Sequence, residues 1–259
     1  MLAEPDRPSA LADYRPSPDA IEVRSAVATC TSLRLEVAGV AADLIDAHTV
    51  LPDGTVVVAV DAMTPLGGLL VAARGSDGAV RLDFTHLVPV AVRARVRARV
   101  AVTGKIGRFD PAVLDSCDDD AVSGLLDLPP VALWAVEPDS VRVERHAATV
   151  QVPVAAYRAA RPDPLAAVEA VHLSRLARLV RHDRHRMHLL ASVVDPALTD
   201  SGTQLVPVAV DADGLTLRAE TGYRHRDIRL PFHVRATDQT TLDQELRRLF
   251  PGVDRHLRG

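Results

Sequence analysis

Aromatic side chains make up only 3% of this 259-residue chain, so its core has to be built from Val, Leu and Ala. Lysine occurs once, at Lys105, and arginine carries the rest of the positive charge. Schiff-base chemistry would therefore have a single candidate residue. The two cysteines, Cys30 and Cys117, lie far apart and form no CxxC pair, which gives no basis for a disulfide framework or a cysteine-based zinc site. No apolar run approaches the ~20 residues that span a bilayer. The first residues, Met-Leu-Ala-Glu-Pro-Asp-Arg-Pro, lack the apolar centre of a secretory signal, and the expected location is cytoplasmic. A formal charge of −4 supplies no electrostatic reason to expect nucleic acid or an anionic membrane as partner.

What is present is globular composition, 47% hydrophobic and 25% charged, in a chain long enough for two modest domains. Residues 1–17, rich in Pro, Asp and Ala, read as a loose arm. Ser17-Pro18 then supplies a helix start, and the helix is expected to run to about Thr31. Strands are predicted over Leu33–Val40, Leu44–Leu51 and Thr55–Asp61, the last two joined by the turn Pro52-Asp53-Gly54. A short helix over Pro65–Ala73 and a strand over Val80–Pro89 follow. The clearest strand is Val92–Val102, where Val and Ala alternate with Arg93, Arg95, Arg97 and Arg99. Gly104-Lys-Ile-Gly107 reads as the turn that ends it, since the spacing is not that of a phosphate loop. A helix with an acidic centre is expected over Pro111–Leu126. Val131–Glu137 and Val141–Val152 read as a hairpin turned at Pro138-Asp139, with Trp134 in the core.

The composition changes at Arg161-Pro-Asp-Pro164, which marks a linker into a helical stretch from Leu165 to about Val194. Strands are predicted at Gln204–Val210, Leu215–Glu220 and Arg226–Phe232. A last helix through Phe250 is expected to open on a capping box of Thr241 and Gln244. Many strands and few long helices indicate an antiparallel barrel or sandwich, not a doubly wound sheet. The expected fold is therefore α+β: an N-terminal antiparallel split β-barrel over residues 18–154, followed by a small α+β module over residues 155–259, built as helix, three strands, helix.

The segments Asp163-Pro-Leu-Ala-Ala-Val-Glu169, Asp213-Gly-Leu-Thr-Leu-Arg218 and His225-Arg-Asp-Ile-Arg-Leu-Pro-Phe232, with the terminal Leu-Arg-Arg-Leu-Phe250 helix, carry a resemblance. This last third of the chain resembles the small α+β module that follows a flavin-type split barrel in haem-utilisation proteins and in the plant glutamyl-tRNA-reductase-binding protein. The N-terminal part is similar in strand order and length to the pyridoxamine-phosphate-oxidase-like split barrel. Members usually carry a His-x-Asn-x-Asp-His pattern on the first long helix of the module. Here Arg178, Val180, His182 and Asp183 stand at those positions, and none matches in kind.

The densest chemistry lies in Arg-His-Asp-Arg-His-Arg-Met-His, residues 181–188. His182, His185 and His188 are three apart, so neighbours on a helix could share one ion. All three could not, because the outer two stand about 9 Å apart along the axis. The same run also reads as a solvated helix face, and no HExxH pattern accompanies it. Haem makes the smaller demand of one neutral imidazole and arginines for the propionates. The resemblance thus implies a haem-binding or haem-degrading protein, with His182, His185, His188, Arg181, Arg184, Arg93 and Arg95 as cofactor-binding candidates. Two alternatives stand beside it. One is a non-catalytic regulator that uses a degenerate barrel to bind a protein partner, and the other is a flavin-dependent oxidoreductase. No convincing residue set for FMN phosphate can be placed. The resemblance also implies a homodimer. No catalytic residue and no structural metal site are assigned, and no nucleophile elbow is present.

Overall fold

Alternation of small aliphatic and polar residues dominates the first 150 residues, and in the computed structural model it produces one large antiparallel sheet. The structure describes all residues except 1–16, 73–78, 110–124, 126–130, 147, 183–202, 223 and 251–259. Helix α1 (Pro18–Thr29) is followed by strands β1 (Ser32–Val37), β2 (Val40–Ile45), β3 (His48–Val50) and β4 (Val56–Asp61). Next come α2 (Pro65–Ala72), β5 (Ala79–Leu87), β6 (Val96–Arg108), β7 (Val131–Arg145) and β8 (Ala148–Val152). The strands run in the order β2-β1-β5-β6-β7-β4-β3, with β8 pairing β7, and the sheet curls into a half-barrel. After α3 (Val154–Ala159) and a 3-10 turn (Ala166–Val168) come α4 (Glu169–His182), β9 (Gln204–Asp211), β10 (Gly214–Thr221), β11 (Arg224–Pro231) and α5 (Gln239–Leu249). β11, β10 and β9 form a separate three-stranded antiparallel sheet. The α+β expectation holds.

Several boundaries differ from the sequence reading, each for a local reason. The stretch read as one strand over Leu33–Val40 turns back at Ala38 and Gly39, both at positive φ (50° and 81°), so β1 and β2 form a hairpin. Pro138-Asp139 is not a turn. β7 runs straight through it, and the pairing with β6 shifts there from Thr103↔Ser140 to Gly104↔Pro138. Gly104 is therefore a strand residue and not part of a turn. A Cβ at that position would lie 2.0 Å from the Glu137 carbonyl oxygen, so only glycine permits the bulge. The cap of α5 sits three residues earlier than expected. Asp238 accepts the Thr241 N–H at 2.8 Å, and the Thr241 hydroxyl closes the box. The predicted helix over Pro111–Leu126 falls outside the described residues, apart from Leu125.

Two main apolar clusters hold the molecule. The first fills the curl of the large sheet beneath α1, and it takes in Trp134, Tyr157 and Ala160. A smaller patch of Ala47, Leu51, Val57, Ala59, Phe109 and Leu125 covers the other side of β4, so that strand is buried on both faces and reads as continuous Val and Ala. The second main cluster lies between the small sheet, α4 and α5, and Val88 and Val90 from the β5–β6 connection enter it.

Within the first cluster Arg24 of α1 is only 1% exposed and lies 5.1 Å from the centre of the Tyr157 ring. Its Nη2 donates to the Leu51 carbonyl at 2.9 Å and to the Pro52 carbonyl at 3.1 Å, while the Tyr157 hydroxyl donates to the Gly54 carbonyl at 3.0 Å. The Pro52–Thr55 turn is thereby bolted to α1 and α3. Gly54 adopts φ +93°, and a Cβ there would meet the Tyr157 ring at 2.7 Å. Gly54→Ala combines left-handed strain with displacement of a buried ring, and should destabilise the fold by about 2–3 kcal/mol. Urea unfolding checks this, and an unchanged midpoint would contradict the bolt.

Candidate functional site

The three-stranded sheet has one apolar and one polar face because its residues alternate. Leu215, Leu217, Ala219, Ile228 and Leu230 face the second cluster, while Thr216, Arg218, Glu220, His225, Asp227 and Arg229 form the opposite face. That polar face is turned towards the large sheet, so the two sheets meet across a seam of charged groups. Arg218, 6% exposed, grips the Asp227 carboxylate with Nε at 2.7 Å and Nη2 at 2.9 Å, and its Nη1 donates to the Ala94 carbonyl at 2.6 Å. The Arg93 backbone N–H donates to Glu220 at 3.2 Å.

Arg97 makes the central connection. The β5–β6 register shifts from His86↔Ala98 to Leu87↔Val96, leaving Arg97 as the extra residue of a bulge. Its Nη1 lies 3.0 Å from the Glu169 carboxylate at the start of α4, and its Nη2 donates to the Val208 carbonyl of β9. Glu169, 9% exposed, also accepts the Val210 N–H at 3.1 Å. One guanidinium therefore joins the large sheet, α4 and β9.

This connection corrects the expectation of a four-arginine strand face. β6 begins at Val96, not Val92, because residues 88–95 leave the large sheet to pack Val88 and Val90 in the second cluster and to receive Arg218 at Ala94. Arg93 and Arg95 are exposed on that connection, Arg97 turns inward, and Arg99 lies 3.8 Å from Glu144 at the surface. Of the other candidates, Arg181 and His182 end helix α4, and Arg184, His185 and His188 lie outside the described residues.

The structure opens a cleft of about 1050 Å3 along the seam, lined by Ile21 and Ser25 of α1, His86, Arg97, Glu169 and Arg229 among others. Its three arginines are all committed: Arg97 to Glu169, Arg229 to Asp211, and Arg235 to Asp213 at 2.6 Å. Asp163, also in the wall, accepts the Leu165 and Ala212 N–H groups, and burial pushes its carboxyl pKa up. The sequence reading had no signal for His86, which sits in an ordinary strand. Its Nδ1 is buried without a hydrogen-bond partner. Burial, helped by the neighbouring Arg97 charge, pushes its pKa down to about 4, so the imidazole is neutral at pH 7. His48, another half-buried imidazole of the large sheet, also has a buried Nδ1 without a partner, but its Nε2 lies 3.0 Å from the Val27 carbonyl oxygen and its ring packs 5.2 Å from Phe84, away from the cleft wall.

No family model matches the chain, and no curated protein matches it. Among solved structures it is similar to a haem-binding protein from Mycobacterium smegmatis, with 20% identity, 95% of this chain and 99% of that one covered, and a TM-score of 0.59. A protein of unknown function from Agrobacterium tumefaciens shares 16% identity over 91% of this chain and 97% of its own, with a TM-score of 0.39. A Clostridium acetobutylicum protein related to general stress protein 26, of the pyridoxinephosphate oxidase family, shares 14% over 47% of this chain and 84% of its own, with a TM-score of 0.31. The first of these likenesses extends over both sheets, and at this identity it is a likeness of fold.

Two outcomes follow from the seam. Arg97→Ala strands the buried Glu169 carboxylate and should cost about 3 kcal/mol in urea unfolding, with hydrogen exchange faster in β9. The second concerns pH. Between the ordinary histidine pKa of 6.5 and about 4, the unfolded chain takes up a proton that folded His86 refuses. Stability from this residue is therefore complete above pH 6.5, falls as pH drops, and levels off below about pH 4, a change of at most about 3 kcal/mol. His48, also depressed by burial, acts in the same direction. The difference between wild type and His86→Gln isolates the His86 share, and parallel stability–pH curves would refute it.

Proposed function

We propose that this protein binds haem in the cleft between its two sheets, where His86 would hold the iron. The observation that carries the reading is the likeness over nearly the whole of both chains to a haem-binding protein. The cleft itself supports it. At about 1050 Å3 it lies at the upper end of small-molecule and cofactor sites, commonly about 300–1,000 Å3. An imidazole must be neutral to coordinate iron, and His86 is held neutral with a buried nitrogen that nothing else uses. Arg229 and Arg235, each about half exposed, stand where propionates could replace or join their present carboxylate partners. When bound, haem would supply a redox-active iron, while this chain's residues would fix its position and shield it.

The flavin alternative fits less well. The same two arginines would have to serve a flavin phosphate, and a flavin makes no use of the unpartnered His86 nitrogen as an iron would.

Titrating hemin into the purified full-length protein should give a saturable Soret band at one equivalent. His86→Ala should weaken binding by about tenfold or more, and the triple variant His182→Ala, His185→Ala, His188→Ala should titrate like wild type. A wild-type protein that leaves the hemin spectrum unchanged would overturn the reading. Loss of binding in the triple variant alone would keep haem and move its ligand to residues 182–188.

A further inference from the structure

At the other end of the same polar face, two histidines that the haem reading does not use come together. The His146 and His225 rings lie 6.2 Å apart between centres and are tilted by 55°. They are 79 positions apart in sequence and belong to different sheets: His146 follows β7 in the connection to β8, and His225 sits near the start of β11. Both are exposed. We infer that His146 and His225 form a two-imidazole site for a borderline divalent transition ion such as Zn2+, Ni2+ or Cu2+, bridging the two sheets.

The separation suits a shared ion. Two imidazole nitrogens, each about 2.1 Å from one metal, set their ring centres roughly 5 Å apart at the tetrahedral angle and about 6.4 Å apart when they face each other across the ion, so side-chain rotation closing the pair by about 1 Å gives a tetrahedral site. Each ring also has a neighbour whose side chain is tied down. Next to His146, Arg145 is held by Asp19 at 2.6 Å and by Glu22 of α1. His225 pairs in register with Glu220, whose carboxylate is fixed by the Arg93 N–H. Glu220 projects from the same face as His225 and adds a negative charge beside the pair. Arg224 and Arg226, the strand neighbours of His225, project from the opposite face.

Imidazole is a favoured ligand for zinc, nickel and copper. Among the described residues no group of three or more His, Cys, Asp or Glu is arranged to hold a metal. The protein therefore contributes two ligands, and water or an outside ligand fills the remaining positions. Such a site binds less tightly than a closed structural one, and it is open to exchange.

The test uses the full-length protein with Zn2+ by calorimetry and Cu2+ by electron paramagnetic resonance. Wild type should bind one equivalent at this site with two nitrogen ligands, and Zn2+ should raise its melting temperature. His146→Ala and His225→Ala should each lower that affinity by about tenfold or more and abolish the thermal shift, with circular dichroism unchanged. The triple variant at 182, 185 and 188 removes any contribution from that run and should keep the equivalent. Metal binding that is absent in wild type, or unaltered in both single variants, overturns the site. Neither result depends on whether haem binds.

Discussion

The contact between Arg97 and Glu169 is the constraint around which the two halves are organised. Neither group would be placed so far from water alone. Desolvating an isolated carboxylate or guanidinium costs several kcal/mol, and the attraction offsets this only with good geometry and further hydrogen bonds. Both conditions are met, since Arg97 also reaches the Val208 carbonyl and Glu169 also takes the Val210 N–H. The pair therefore specifies position more than it adds raw stability. It fixes the start of α4 and the middle of β9 against one point of β6. That point is a bulge, and the bulge frees the arginine from the outward direction that strict alternation would give it.

A second consequence follows from the same turn of the chain. Because β6 starts only at Val96, the preceding connection can send Val88 and Val90 into the other apolar cluster. The two cores are thus linked covalently through an apolar plug and electrostatically through Arg97, while the surfaces between them stay polar. A polar seam cannot close as tightly as an apolar interface, because its ion pairs need defined separations and some access to water. The cleft beside His86 lies where the pairs Arg97–Glu169, Arg229–Asp211 and Arg235–Asp213 hold the walls in place without filling the space between them.

The fold class was legible from the sequence because it depends on local period. The alternation in the β10 segment and the continuous Val-rich β4 segment each report which faces are buried. The candidate site was much less legible. Arg93, Arg95, Arg97 and Arg99 look equivalent in the sequence, and only pairing with β5 reveals that Arg97 is the bulged residue. Pro138-Asp139 looks like a turn, and only the opposing Gly104 makes room for it to be a bulge. His86 carries no local mark, since its desolvation comes from the seam, and its neighbours there are distant in sequence. The histidine run at 182–188 drew attention through density, a property of composition; a lone histidine in a strand gave no comparable signal.

The seam also limits what kind of ligand the cleft can hold. Binding a multiply charged anion there would mean pulling arginines from carboxylates that have no other strong partner, and part of the gain would be lost to the stranded acids. A ligand held mainly by one bond to His86 depends less on those arginines, and only the half-exposed Arg229 and Arg235 would turn to its acidic groups. His86 is the group in the wall whose polar atom is not already engaged, and its neutrality is imposed by the same burial and the same Arg97 charge that build the seam. Burial first, and the Arg97 charge after it, keep neutral the residue best placed to bind between the halves. Structural and functional demands meet at Arg97, which is why a change there should disturb the cleft as well as the join.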